Sequence, residues 1–401
     1  MLELEEALAG ILAVVPPAVS EQIDLGDAHE RVLAEAVFSP VDLPGFDNSA
    51  MDGYALRAGD VASAKPELPV RLRLAGRVAA GDAFNGEVSA GTCVRLFTGS
   101  PLPRGTDAVV MQEDTRVEPG NAQEILVLDS AKPGENVRFR GEDIKHGSRL
   151  AEAGEVLTIG RISLLAATGF SNVNAGRRPV VGLLATGSEL REPGQPLGPG
   201  QIYESNRIGL AALIRRAGAI PKVWALIPDS LALTRHALAE AFDQCDAVVT
   251  SGGASVGEMD FIKEALQHES GSVQFWKVAI KPGRPFAFGR HGQKLFFGLP
   301  GNPVSALVTF LLLVRPALLR WQGATEVGLA TYPGVLVERL ANPGERRHFM
   351  RVRVDKAGKV YSAGGQASHV LSAMAAANGL VDVAPNTELA AGTSVPVLHW
   401  E

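Results

Sequence analysis

Several residue patterns that announce common binding classes are missing from this chain. Its 401 residues hold two cysteines, Cys93 and Cys245, neither in a C-x-x-C pair. That excludes a disulfide framework and a cysteine zinc site, and free thiols suit a reducing compartment. The 8 histidines show no H-x-x-x-H or H-E-x-x-H spacing, so a histidine transition-metal site is not expected. No G-x-G-x-x-G follows a strand-like run and no Walker A motif occurs, which removes support for dinucleotide redox chemistry and P-loop hydrolysis. A basic excess is also lacking: 38 Lys+Arg against 44 Asp+Glu gives −6. A nucleic-acid partner is therefore not expected.

Long apolar runs are absent as well. The uncharged stretch Phe296–Val314 is interrupted by Gly298, Pro300, Gly301, Asn302 and Pro303, so no membrane segment is expected. The opening MLELEEALAGILAVVPP is acidic and the first basic residue is Arg31, the wrong charge for a secretory or transit leader. These features together predict a cytoplasmic protein. With 46% apolar and 20% charged residues, the chain reads as globular, long enough for about two to four domains.

The residues that are present fall into zones. Leu4, Leu8, Ile11, Leu12 and Val15 recur at helical spacing until Pro16-Pro17. That stripe serves either a core or a second subunit. Short β-type runs at Val70–Leu74, Cys93–Phe97, Ala108–Met111 and Ile125–Leu128 predict a small β-rich unit over 43–140. Helical spacing returns over Gly154–Gly169, so the β unit reads as an insertion.

From Pro179 to Trp321 strands and helices alternate, which predicts a doubly wound α/β domain. Strands are expected at Val180–Ala185, Val223–Ile227, Asp246–Ser251, Gln274–Ile280, Pro285–Phe288 and Leu295–Phe297. Helices are expected from a Ser205 cap to Ala217, over Leu231–Phe242, over Asp260–His268, and from Pro303. The segment 328–401 reads as mostly β, with one short helix within Ala367–Ala377.

Ligands of doubly wound folds collect outside the carboxyl ends of the strands. Three polar turns fall there: Thr186-Gly187-Ser188-Glu189, Pro228-Asp229-Ser230 and the run Ser251 to Asp260, which carries Gly252, Gly253, Ser255 and Gly257. Glycines let backbone N–H groups approach a phosphate, and nearby carboxylates suit Mg²⁺. Lys277 and Lys281 would share one strand face and form a cationic corner before Pro282-Gly283. Gly253 to Gly257 also matches the G-x-S-x-G nucleophile elbow, with Asp355 and His369 in triad order. Yet Gly252-Gly253 intervene between the strand and Ser255, which disfavours a hydrolase. The loop Phe46–Ala55, dense in small polar residues, reads as a shaped turn.

In order, FDNSAMDGYAL (46–56), RLFTGSPLPRGTDAVVMQED (95–114), GENVRFRGEDIKHG (134–147), LLATGSEL (183–190), YESN (203–206), VVTSGGASVGEMDFIKE (248–264), VAIKPGRPFAFG (278–289) and FFGLPGNPVSALV (296–308) resemble the molybdopterin molybdenumtransferases, the family of MoeA and the E domain of gephyrin. HFMR (348–351) and ASHVLSAMAAANGL (367–380) extend the likeness more loosely. The resemblance implies an α/β multidomain architecture: a doubly wound, MogA-like domain (178–325), an inserted β-rich domain (43–140), an elongated N-terminal dimerisation domain (1–42 plus 141–177) and a small C-terminal β-barrel-like domain (326–401).

It also implies a function. Such proteins insert molybdate into adenylated molybdopterin with Mg²⁺-dependent release of AMP. Catalytic roles would fall on Asp52, Asp143, Glu189, Asp229 and Asp260, with Mg²⁺ held by Glu189, Asp229 and Asp260. The cofactor substrate would meet Thr98, Thr186, Gly187, Ser251, Gly252, Gly253, Ser255, Gly257, Pro300, Gly301 and Asn302. Molybdate would meet Lys277, Lys281, Arg351 and Ser368. A head-to-tail homodimer with a composite active site is implied, in which Asp52 serves the other subunit and the N-terminal stripe serves the dimer. Molybdopterin adenylyltransferase and molybdoenzyme apoproteins or their chaperones would be the partners. The sequence departs from the family at Ala254, at Glu258-Met259 in place of a common Asp-Tyr, and at Arg284 in place of a frequent Lys. A receptor-clustering scaffold, the other role in this family, would need an added domain or long linker that the sequence does not carry.

Overall fold

The computed structural model describes residues 1–79, 81–118, 120–252, 261–267 and 272–400. The chain divides into two compact units, Met1–Glu35 with Ala153–Leu157 and Val173–Glu401, and Ala36–Glu152 with Thr158–Asn172. The segments 1–42 and 141–177 are thus shared between them.

The larger unit is built on a six-stranded sheet. Its order is Ile220–Val223, Val180–Ala185, Ala247–Ser251, Lys294–Leu299, Pro285–His291 and Ser272–Lys277. The first four strands are parallel and the last two antiparallel. The central strands are almost wholly buried, as near-continuous apolar runs in a sheet covered on both faces must be. Helices Asn206–Arg216 and Pro303–Trp321 contribute Leu210, Ile214, Phe310 and Leu318 to the core on one face. Helices Leu231–Gln244 and Phe261–Gln267 contribute Leu238, Phe242 and Ile262 to the other. This is the doubly wound arrangement expected.

Helix Pro303–Trp321 is long and apolar enough to cross a membrane by length and composition, but 78% of it is buried within the protein. Pro303 opens it, and a π-helical stretch, Phe310–Val314, precedes Pro316. Pro316 has no N–H for the carbonyl four residues back, and the wider turn accommodates that gap.

Two expected strands move. The strand anticipated at Val223–Ile227 forms at Ile220–Val223. Pro221 argues against a strand in sequence, but an edge position tolerates it. The strand anticipated over Gln274–Ile280 ends at Lys277. Val278 then bridges Leu2, and Ile280–Lys281 pairs with Arg347–Val354 in a different sheet.

That second sheet closes on itself. Arg347–Val354, Lys359–Ser362, Ala330–Leu336, Ser394–His399 and Gly379–Val383 form a five-strand barrel, because Gly379–Val383 returns to pair with Arg347–Val354. Met350, Val352, Val360, Val381 and Val397 fill its interior. The N-terminal helix Leu4–Leu12 buries Leu4, Ala7 and Ile11 in the core of the larger unit. The stripe assigned to a dimer is therefore consumed by the chain's own core, which corrects that expectation. Glu5 and Asp382 both pair with Arg347, tying the helix to the barrel.

The smaller unit holds a six-stranded mixed sheet in the order Ala108–Met111, Gly53–Leu56, Thr92–Leu96, Val70–Arg77, Asn121–Val127, Thr115–Glu118. Leu72, Ile125 and Val110 pack on one face, and Val94, Leu96 and Val109 on the other. Glycine is required at position 53, since a Cβ there would lie 2.1 Å from the Val110 carbonyl oxygen. Helix Ile159–Ala167 is capped by the Thr158 hydroxyl, which accepts the Arg161 N–H.

Candidate functional site

The carboxyl ends of the parallel strands open into a cavity of about 590 Å³. Thr186, Glu189, Asn206, Ser251, Gly252, Gly301 and Asn302 line it, together with His369 and Leu371 from the C-terminal region. The size suits a small molecule. Asn206 holds the walls together: its side-chain amide donates to the Ser251 hydroxyl (2.7 Å) and to the Gly301 carbonyl (2.8 Å). Gly252, at φ +86°, turns the chain sharply as it leaves the strand. Gly187 and Pro300 are buried just behind the lining.

The carboxylates are placed differently from one another. Glu189 is exposed on the cavity wall and its carboxylate folds back over Gly187, where a Cβ would stand 2.6 Å from a carboxylate oxygen. Asp229 accepts the Ser188 N–H (2.9 Å), while the Ser188 hydroxyl accepts the Asp229 N–H (3.1 Å). This clasp joins the first two predicted turns. Ser205 does not cap its helix with its side chain. Glu204 does so from one position earlier, accepting the Arg207 N–H at 2.9 Å. Gly253, Ser255, Gly257 and Asp260, with Ala254, Glu258 and Met259, lie outside the described residues.

A cationic corner forms where Ile280–Lys281 meets the barrel. Lys277 and Lys281 are both exposed, but the strand break puts them on separate strands rather than on one shared face. Arg351 is fully buried. Its Nη2 donates to the Gly365 and Ala367 carbonyls at 2.8 and 3.2 Å, while its Nε and Nη1 are buried without a partner among the described residues. Ser368 is partly buried, and its carbonyl accepts the Val304 N–H at 3.2 Å.

Sequence reasoning missed two members of this corner. His348 stands opposite Lys281 in the strand register, is buried, and has an Nε2 with no partner among the described residues. Burial first, then the charges of Lys281, Arg351 and Arg346, push its pKa down to about 4. Arg346 donates to the Ile280 carbonyl at 2.9 Å. The signal was the parallel pairing of 280–281 with 347–348, which a continuous strand through 280 concealed.

In the smaller unit, Asp52 accepts both the Thr98 N–H (2.8 Å) and the Thr98 hydroxyl (2.9 Å). These bonds hold its carboxyl below the usual aspartate range, with Arg95 adding to the effect. Asp143 is exposed, and its N–H donates to the Leu43 carbonyl at 3.1 Å. Of the hydrolase alternative, Asp355 is occupied by its own hairpin turn, accepting the Ala357 and Lys359 N–H groups. His369 instead lines the strand-end cavity.

Family models match nearly the whole chain: the MoeA N-terminal region (domain I and II) over 2–169, a probable molybdopterin binding domain over 182–320, and the MoeA C-terminal region (domain IV) over 333–400. A molybdopterin molybdenumtransferase from Haemophilus influenzae is 40% identical over 384 residues, covering 94% of this chain and 93% of the relative. The molybdopterin molybdenumtransferase 2 of Mycobacterium tuberculosis is 40% identical over 386 residues, 94% of each. The crystal structure of the molybdopterin biosynthesis MoeA protein from Pyrococcus horikoshii OT3 superposes with a TM-score of 0.85 at 29% identity, covering 100% of both chains.

Fold and site define a multidomain α/β protein, with a doubly wound domain presenting a polar strand-end pocket and a closed C-terminal barrel. The chain belongs to the molybdopterin molybdenumtransferase family, transferases of molybdenum cofactor biosynthesis.

Proposed function

We propose that the protein inserts molybdate into adenylated molybdopterin and releases AMP with the help of Mg²⁺, giving the molybdenum cofactor. The observation that carries this reading is Arg351, a buried guanidinium with two donors that find no partner among the described residues, and whose charge, like that of Lys281, acts on His348. A fixed cation with unpaired N–H groups is preorganised for a tetrahedral dianion. Lys277, Lys281 and Ser368 complete the proposed oxyanion site.

The strand-end cavity takes the nucleotide-bearing substrate. Thr186, Gly187, Ser251, Gly252, Gly301 and Asn302 offer backbone and hydroxyl groups to its phosphates, beside the N-termini of helices Asn206–Arg216 and Pro303–Thr309. Gly253, Ser255, Gly257 and Pro300 belong to the same proposal. Mg²⁺ asks for only one or two protein carboxylates beside phosphate oxygens and water. Glu189 and Asp229 meet that demand, with Asp260 as the third candidate, and among the described residues no larger cluster of metal-binding side chains gathers. Mg²⁺ held by these carboxylates would supply charge neutralisation at the departing phosphate. Glu189 orients groups at the cavity wall, and Asn206 keeps that wall rigid.

The protein works as a homodimer in which Asp52, Thr98 and Asp143 complete the partner's site. Exposed Phe46, Met51 and Phe139 in the Asp52 unit support an interface there. The proposed four-domain division is that of the sequence, and the setting is the cytoplasm. Molybdopterin adenylyltransferase supplies the substrate, and molybdoenzyme apoproteins or their chaperones take the product. The test is AMP release by the purified protein with Mg²⁺ across a molybdate titration. Release should rise and saturate with molybdate and stop with EDTA. Tight nucleotide binding without release at any molybdate level would refute the reading.

A further inference from the structure

The cationic corner contains one group whose charge is not fixed. His348 is 3% exposed, and its Nε2 has no hydrogen-bond partner among the described residues. Among the described residues, three cations act on it. Lys281 comes from the adjoining strand, while Arg346 and Arg351 come from its own strand and flanks. On the other neighbouring strand His348 pairs with Val383, and the next residue there, Asp382, is held by Arg347 and so is engaged elsewhere. The Gln366 backbone, hydrogen-bonded to the ring, is a weaker influence favouring charge. Burial and three cations thus keep the imidazole neutral, at a pKa of about 4.

We propose that oxyanion binding at this corner takes up one proton and that His348 is its acceptor. This rests on the reading of Lys281 and Arg351 as the oxyanion site. A dianion among these cations reverses the field at the ring, and an opposite charge nearby favours the imidazolium. Protonated Nε2 then becomes a donor, which the neutral ring cannot offer at both nitrogens. The orphaned atom and the incoming charge satisfy each other.

The sign follows from linkage. The loaded site has the higher His348 pKa, so affinity for the oxyanion rises as pH falls between the loaded and empty values. The limit is about tenfold per pH unit. Above the loaded value the affinity is lower and independent of pH.

The experiment titrates molybdate calorimetrically into the full chain, in buffers of different ionisation enthalpy, over about pH 6 to 8. Proton uptake approaching one per molybdate at the acid end, with affinity rising toward it, is the expected result. His348→Gln should bind molybdate with a flat pH profile and no uptake, and His348→Asn replaces it if circular dichroism shows the first variant misfolded. The proton count on the wild type needs no variant. Molybdate binding without uptake overturns the proposal, as does uptake that persists in the His348 variants. Binding that is absent, or indifferent to Lys281→Ala, overturns the oxyanion site itself, a separate failure.

Discussion

The side-chain amide of Asn206 bonds the Ser251 hydroxyl at 2.7 Å and at the same time the Gly301 carbonyl at 2.8 Å. One side chain at a helix start thus pins two strand-end turns. Asn206→Ala removes both bonds and leaves their acceptors to rearrange. At roughly 1 kcal/mol per bond, a loss of about 1–3 kcal/mol is expected. Nucleotide affinity should fall as well, because Asn206 lines the cavity and holds two of its walls in place. Chemical denaturation and AMP binding check the two effects. Lost stability with unchanged AMP affinity would separate Asn206 from the pocket.

Glu189 predicts the opposite pattern. Its side chain is exposed on the cavity wall. Glu189→Gln keeps the shape and removes the charge, so the melting temperature should hold while AMP release slows by about 10²-fold or more, the scale of losing one electrostatic group in a reaction site. Unchanged turnover would remove Glu189 from the mechanism.

Much of this organisation is legible in the chain. Runs such as VVGLLA and AVVTS can be satisfied only in a sheet covered on both faces, and polar turns after them mark the ligand edge. What escaped detection was set by tertiary pairing. A continuous β pattern from Gln274 to Ile280 hides the break after Lys277, because each half is paired in a different sheet. His348 therefore looked like one scattered histidine, although the register sets it against Lys281. The N-terminal stripe was ambiguous for the same reason: apolar spacing tells that a face is buried, not which chain buries it. Ser205 looked like the cap because its residue type fits, whereas Glu204 has the reach.

Asp52 carries a pH dependence whose direction is fixed. The Thr98 N–H and hydroxyl lower its carboxyl below the usual 3.8. A group with a depressed folded pKa adds stability that is present above the unfolded value and is lost as pH falls through the folded one. The Asp52–Thr98 tie should therefore be intact at neutral pH and fail only below about pH 3.8. Asp52→Asn should lower the acid-unfolding resistance seen above that pH, and wild type and variant should converge below it. Acid titrations followed by circular dichroism test this, and a constant gap across the whole range would show that the charge is irrelevant to the tie.

Arg351 offers the sharpest separation of stability from activity. Its guanidinium is fully buried and, among the described residues, pairs only with backbone carbonyls and leaves Nε and Nη1 without partners. Burial accordingly lowers its pKa. A lone buried cation costs desolvation that two carbonyl bonds only partly offset. Arg351→Met should therefore melt at or above the wild-type temperature while molybdate dependence of AMP release disappears. Arg351→Lys keeps one charge but not the planar fork, so it should restore part of the dependence at a raised molybdate requirement. If Arg351→Met instead destabilises the protein by several kcal/mol, as removal of one partner from a buried pair does, the guanidinium is a strut for the 365–367 segment rather than an oxyanion ligand. The ratio of molybdate-dependent to molybdate-independent release in the two variants decides between them.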